Sequence, residues 1–235
     1  MSAFPLTCVS GYWMCKNKHN NQYEDLWFKT TLKIQCPYVF FGDKESLKVI
    51  KFFRGDLPTH YIELEIQDFF TCRFKDRMIT DERHCPSVEL NLIWNEKIFL
   101  IEKAAALNIF QSEFFSWVDA GICVFREYPP PPLPYPNKNK LAALPRTKFI
   151  YCASEPYQES RVDEPNWHHI SGSSFMLHKN IIAPFVNIYS TYLEKLITTE
   201  KVWTDQIIWT HIFRDHKHLF YEACFGYGGL CIILY

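Results

Sequence analysis

The ten residues Phe114 to Cys123, FFSWVDAGIC, carry the plainest chemical signal in this sequence of 235 residues. Phe114, Phe115, Trp117 and Val118 surround Ser116, a pattern that predicts a strand buried on both faces. The strand runs straight into one carboxylate, Asp119, followed by Ala120 and Gly121. A single charge at the carboxyl edge of a buried sheet stands where open α/β sheets bind ligands. Gly121, with no side chain, would let a ligand come close to the backbone. An Asp that only opens a turn after a strand would read the same way, since Asp and Gly dominate turns.

Motifs that announce other chemistries are absent. The sequence holds no G-x-x-x-x-G-K-[ST] for a P-loop, and Gly11 alone after the first strand cannot supply G-x-G-x-x-G. Neither G-x-S-x-G nor H-E-x-x-H occurs. His211, His216 and His218 lie close together but without zinc-ligand spacing, and read as surface histidines.

Three segments in order resemble a known family. Trp94-Asn95-Glu96-Lys97, Asn108-Ile109-Phe110 and Phe115-Ser116-Trp117-Val118-Asp119-Ala120-Gly121 match the W-N-x-K, N-P-F and F-x-W-[IV]-D-x-G arrangement of the HtrL/YibB glycosyltransferase-like group. The sequence is more similar still to the small N-terminal glycosyltransferase domain of chlorovirus capsid-glycan enzymes. That likeness takes in Leu6 to Tyr12, CPYVFFGDK and RGDLPTHYIELEI, and continues more loosely through Asp205-Gln206. It implies a GT-A (Rossmann-like) fold, an α/β/α arrangement with a central mixed β-sheet flanked by helices, spanning 1–235 as one domain. It also implies a UDP-sugar donor bound with Mn²⁺ or Mg²⁺. The metal-binding Asp-x-Asp of such folds maps its first Asp onto Asp119, whereas Gly121 stands at the second. One carboxylate remains chemically sufficient, because these ions accept a shell completed by water and substrate phosphates. His216 or His218 could add a ligand, although their spacing gives no support.

Further roles follow from the resemblance together with chemistry. Lys97, one helical turn from Trp94, could reach the diphosphate and offset charge on the departing nucleotide; a solvated helix lysine is the alternative. Thr7, Cys8, Val9 and Tyr12 end the first strand where the donor's base and ribose would sit, with His60 and Asn95 as further donor contacts. Trp167, His168, Ser171, Gly172 and Gln206 are the expected acceptor-side residues, Trp167 offering a stacking face. Asp205 would face the reacting centre and steady positive charge on the sugar ring, or serve as an ordinary helix-start carboxylate. The resemblance leans towards retention of anomeric configuration, glucose or L-rhamnose as the transferred sugar, and a viral capsid glycan or glycoprotein as acceptor. A nucleotide-sugar hydrolase or pyrophosphorylase-like enzyme and a non-catalytic interaction module stay open beside it.

The elements that must position these residues alternate between strand and helix. Strands are expected at Leu6–Ser10, Tyr38–Phe41, His60–Ile66, Phe149–Ala153 and Ser171–Leu177 around the Asp119 strand. Helical spacing marks Tyr23–Leu32, Ser46–Phe53, Ser87–Leu107, Pro184–Thr198 and Trp203–Phe213, with Ser87 as an N-cap. Tyr128 to Pro136, with six prolines, predicts an extended surface connection, and the apolar tail Leu230–Tyr235 a last buried element or the edge of a longer protein.

Composition bounds the rest. With 48% hydrophobic and 17% aromatic residues the chain can fill a large core, which excludes disorder. A formal net charge of −1 without any basic block argues against nucleic-acid binding. No signal-peptide pattern opens the sequence, and no run approaches the roughly 18 apolar residues that span a bilayer. Nine cysteines without a C-x-x-C read as reduced thiols, with Cys8, Cys36, Cys123 and Cys152 expected in the core. A cytoplasmic protein, in the host cell if viral, is the expectation.

Overall fold

In the computed structural model, which describes residues 4–235, seven strands share one sheet: β1 (Leu6–Gly11), β2 (Tyr38–Gly42), β3 (Thr59–Glu63), β4 (Phe114–Val118), β5 (Phe149–Ala153), β6 (Ile170–His178) and β7 (Phe220–Phe225). Their order is β3-β2-β1-β4-β6-β5-β7. Every pairing is parallel except those of β6, which runs antiparallel to both β4 and β5. The strand FFSWV is therefore central, and all five of its residues are buried.

Seven α-helices flank the sheet: α1 (Phe28–Thr31), α2 (Lys44–Arg54), α3 (Val88–Leu107), α4 (Lys138–Ala142), α5 (Ile182–Leu196), α6 (Asp205–His216) and α7 (Gly229–Ile233). One sheet face, with Val9, Phe115 and Trp117, packs on Leu100 of α3, Tyr189 of α5 and Trp209 of α6. The other, with Cys8, Phe40 and Val118, packs on Phe28, Ile50 and Leu230. Alternate residues of one strand serve opposite cores, as the two-residue period of a strand requires. The α/β class, the mixed sheet and the α/β/α layers expected from the sequence are all present.

Helix α3 has defined ends. The Ser87 hydroxyl accepts from Leu90 N at 3.2 Å, and Asn108 closes the helix in the left-handed region at φ 37°. Asn tolerates that conformation better than most residues. Its side chain then accepts from Ser112 N at 2.8 Å and donates to Ser112 O at 3.2 Å, which turns the chain into β4. The asparagine of the Asn108-Ile109-Phe110 segment is thus a helix stop.

Several elements differ from their sequence reading. Strand β3 ends at Glu63 rather than Ile66, because the chain leaves the sheet edge for 3-10 turns at Ile66–Asp68 and Phe70–Arg77. The buried Glu96 carboxylate holds that turn by accepting from Phe70 N and Thr71 N at 3.0 and 2.9 Å. Strand β7 is an edge strand with one buried residue, and its FYEACF sequence has no two-residue alternation to announce it. The helix expected at Tyr23–Leu32 divides into a π-turn at Tyr23–Trp27 and the short α1. Helix α5 starts at Ile182 with Pro184 in its first turn, where no backbone N–H is needed. The proline segment is mostly exposed, and Tyr135 anchors it against Tyr235 with ring centroids 4.8 Å apart. All nine cysteines are free, but Cys123 is exposed in the turn after β4, not in the core. No described helix is long and apolar enough to cross a membrane.

Arg54, 1% exposed at the end of α2, ties this half of the sheet together without a carboxylate partner among the described residues. It donates to Leu32 O at 2.9 Å, Ile34 O at 3.0 Å, Cys36 O at 3.2 Å and Thr59 Oγ1 at 3.0 Å, and its guanidinium lies over the Tyr38 ring. Replacing it orphans several buried carbonyls at once. Arg54→Met is expected to cost about 3 kcal/mol or more of stability, read as a lower denaturant midpoint at unchanged slope.

Candidate active site

Lys97 projects from the middle of α3 to the carboxyl end of β4, where its side chain is 5% exposed and its ammonium is surrounded by acceptors. Its Nζ lies 2.8 Å from Gly172 O on β6, 3.1 Å from Asp205 Oδ2 on α6 and 3.2 Å from Asp119 Oδ1 just past β4. Gly172 O accepts a hydrogen bond from it, and the two carboxylates meet it as ion pairs, so three elements surround the charge. Two carboxylates against one cation leave the cluster with a formal charge of −1.

The two carboxylates are held differently. Asp119 Oδ1 also accepts from Trp117 Nε1 at 2.7 Å, two residues back on the same strand. No described donor reaches Asp119 Oδ2, and the side chain is 38% exposed. Asp205 is the first residue of α6 and 3% exposed. It meets Lys97 as an ion pair at 3.1 Å, and Oδ2 has no hydrogen-bond partner among the described residues. Gly172 makes room for it: a Cβ there would stand 2.4 Å from Asp205 Oδ2.

Burial sets the electrostatics. It raises the Asp205 pKa to about 6 against the opposing pull of Lys97, and Asp119 adds to the rise. For Lys97 burial acts downward, but Asp119 and Asp205 outweigh it and hold the ammonium above the ordinary lysine range. Lys97 stays charged.

This cluster floors a cavity of about 290 Å³ beyond the carboxyl ends of the parallel strands, with Trp94 and Tyr23 on its walls and Lys18 and Arg126 at its rim. A recess of about 70 Å³ continues from it towards Gly11, Tyr12 and Trp13. Among the described residues no group of three or more His, Cys, Asp or Glu could cage a metal ion. The donor set that exists is the open oxygen of Asp119, which fits only an ion that completes its shell with water and ligand oxygens, as Mg²⁺ does.

A family model described as "Bacterial protein of unknown function (HtrL_YibB)" matches residues 58–227. The chain belongs to the HtrL_YibB family. No curated protein matches it in sequence. Among solved structures it is similar to mouse xyloside xylosyltransferase 1 in its apo form, with 12% identity and a TM-score of 0.50 over 92% of this chain and 83% of that one. It is also similar to a glycosyltransferase involved in the glycosylation of the major capsid of PBCV-1, with 14% identity and a TM-score of 0.47 over 94% and 81%. The first likeness is one of fold, and the mixed sheet with its flanking helices is the GT-A arrangement.

Of the residues singled out in the sequence, this HtrL_YibB protein brings Lys97, Asp119, Gly121, Gly172, Asp205 and Gln206 to the one cavity. Lys97 is not a free cation aimed at a ligand; it is buried against one carbonyl and two carboxylates. The face of Gly121 where a Cβ would project is filled by the Tyr23 ring, 2.4 Å from that point, so the glycine is needed for this packing rather than to admit a ligand. Tyr12 reaches the recess, with its hydroxyl bonded to Glu24.

Others lie elsewhere. Thr7, Cys8 and Val9 are buried inside β1; Thr7 donates to Ser112 Oγ at 2.8 Å, while the other two face the two cores. His60 sits on β3 at the sheet edge, two strands from β1. Asn95 donates to Trp203 O at 2.9 Å and accepts from Tyr189 Oη at 2.7 Å, fixing the segment that leads into Asp205. Trp167 is buried with its indole N–H on Glu155, so no face remains for stacking a sugar. Ser171 is buried against Ser173 Oγ, and His168 meets the cavity only through Tyr227, 2.6 Å away. His216 and His218 lie at and beyond the far end of α6, about 16 Å of helix from Asp205, which removes them as partners of Asp119. The sequence reading overlooked Lys18, His19, Tyr23 and Arg126. The signal was positional: they follow β1 and β4, whose carboxyl-end loops line such a site.

Two outcomes follow. Lys97→Met leaves Asp119 and Asp205 without their cation and is expected to cost about 3–5 kcal/mol of stability, much of it regained in Lys97→Met with Asp205→Asn. Denaturant unfolding of the single and double variants checks this. The second concerns pH in the metal-free protein. Asp205 has a folded pKa of about 6, above the ordinary 3.8, so its share of stability is full below pH 4 and lost as pH rises to about 6. A stability profile that loses this fall in Asp205→Asn is the expected result.

Proposed function

We propose that this HtrL_YibB protein is a metal-dependent glycosyltransferase that moves a sugar from a UDP-sugar to a hydroxyl of a glycan. One observation supports it above the rest: a carboxylate with one open oxygen, Asp119, stands beside the buried Lys97–Asp205 pair in a cavity at the carboxyl edge of a GT-A sheet. Asp119 Oδ2 would hold Mn²⁺ or Mg²⁺, whose chemistry is to neutralise the donor's diphosphate as it departs. Lys97 keeps both carboxylates in place and does not take up phosphate itself. Asp205, ionised at neutral pH with its Oδ2 free of hydrogen bonds, would steady positive charge growing on the sugar ring. Such a role suits a retaining reaction. Glucose or L-rhamnose as the sugar, and a capsid glycan as acceptor, rest on the chlorovirus resemblance of the sequence.

Hydrolysis of the nucleotide-sugar is the second reading. It draws on Trp167, the expected acceptor platform, being buried and tied to Glu155. Water needs no such platform.

Thermal stabilisation by a panel of UDP-sugars with and without Mn²⁺ tests the donor. Wild-type protein is expected to be stabilised only with the metal, and Asp119→Asn to fold normally while losing that response. Asp205→Asn should retain donor binding while turnover falls at least tenfold, on the order of 1.4 kcal/mol in the barrier. Product analysis with and without an acceptor sugar separates transfer from hydrolysis.

A further inference from the structure

With the Lys97 ammonium committed, the cavity still holds cations that no described carboxylate neutralises. Arg126 is the most constrained. It follows the 3-10 turn Cys123–Phe125, and its backbone N–H bonds Cys123 O at 3.2 Å. Its Nε donates to Gly121 O at 2.9 Å, and its guanidinium carbon lies over the Trp27 ring, 3.6 Å from the centroid. Backbone and Nε are therefore held, with the guanidinium packed on the indole. Among the described residues no acceptor meets Nη1 or Nη2, and no carboxylate pairs with the side chain.

Lys18 lines the same cavity, exposed and without an ion-pair partner among the described residues, and His19 lines it as well. Burial first, then the charges of Arg126 and Lys18, hold His19 down to about 4, which places all three groups within electrostatic reach of one another. Tyr23, Asp119, Arg126 and Lys18 all line this one cavity.

We infer that Arg126, backed by Lys18, is the diphosphate clamp of this site, gripping a nucleoside diphosphate across the cavity from Asp119. The inference rests on the proposed glycosyltransferase reading. A guanidinium whose terminal N–H groups are open, tied at Nε and packed on an indole, matches two phosphate oxygens with little left to order on binding. Lys18 adds a mobile charge, and His19 stays neutral, able to donate one hydrogen bond. A cation on the ligand side of Asp119 offsets the −1 of the floor without disturbing the Lys97 cluster. The clamp is a binding residue pair; the reacting bond lies with Asp119 and Asp205.

Titration calorimetry with UDP, UMP and inorganic pyrophosphate in Mn²⁺ tests the clamp on wild type, Arg126→Met, Arg126→Lys, Lys18→Met and Asp119→Asn. Arg126→Met is expected to lose at least tenfold in UDP and pyrophosphate affinity and less for UMP. Arg126→Lys should recover only part of it, since an ammonium cannot present the planar fork. Lys18→Met, at an exposed position, should fold normally, weaken UDP severalfold and flatten the salt dependence. It decides the matter together with Arg126→Lys if Arg126→Met fails to fold. Wild-type UDP affinity in the folded Arg126 and Lys18 variants, with binding lost in Asp119→Asn, overturns the clamp and leaves the glycosyltransferase reading standing. If wild type binds neither UDP nor pyrophosphate, both fall.

Discussion

A buried ammonium must be met on all sides, and that demand at Lys97 organises the candidate site of this protein. Removing such an ion from water costs several kcal/mol, which is recovered only when geometry and pairing are good. The chain meets it with a carbonyl from β6, a carboxylate from the end of β4 and another from the start of α6. Each partner has its own support. Trp117 holds Asp119, and Asn95 holds the segment before Asp205. Gly172 leaves the space Asp205 occupies. The result is a pair of carboxylates fixed by a cation, both lining the cavity, with Oδ2 of Asp119 left open to it.

The four residues Trp94-Asn95-Glu96-Lys97 show why a short motif can be constrained at every position. Successive residues on a helix point about 100° apart, and here each direction has a task. Trp94 walls the cavity, Asn95 binds Trp203 O, Glu96 caps the Phe70 turn and Lys97 enters the cluster. Because α3 is covered on nearly all sides, it lacks the single apolar stripe of a surface helix.

Local patterns made much of this legible in the sequence. A run such as FFSWV, short and rich in aromatics, reads as a buried strand, and Asp119 at its end stands at the edge where the candidate site lies. Lys97 and Asp205 were also visible, yet their partnership was not, because periodicity assigns a residue to an element and says nothing about which distant charge it meets. The mid-strand residues Thr7 to Val9 failed for a related reason: being near a strand end in sequence is not being beyond it in space. Trp167 failed because an indole N–H seeks a carboxylate, and Glu155 is nearer than solvent. Strand β7 escaped notice as an edge strand, where half-exposure removes the alternation that identifies interior strands.

The lone reversed strand has a bearing on how the chain is made. Lys97 and Gly172 are 75 residues apart, and Asn95 and Trp203 are 108 apart. A ribosome that has released β4 has completed the parallel half of the sheet, with one edge of its most apolar strand unpaired and Lys97 facing a single carboxylate. Only when β6 turns back to lie against β4 is that edge covered, and only when α6 docks is the second negative charge delivered. Contacts of such span close late, because the loop entropy of the intervening chain is spent before they form. The nascent half-sheet is therefore the species most exposed to pairing with strangers. The charges that complete the site arrive with the same segments that shield it.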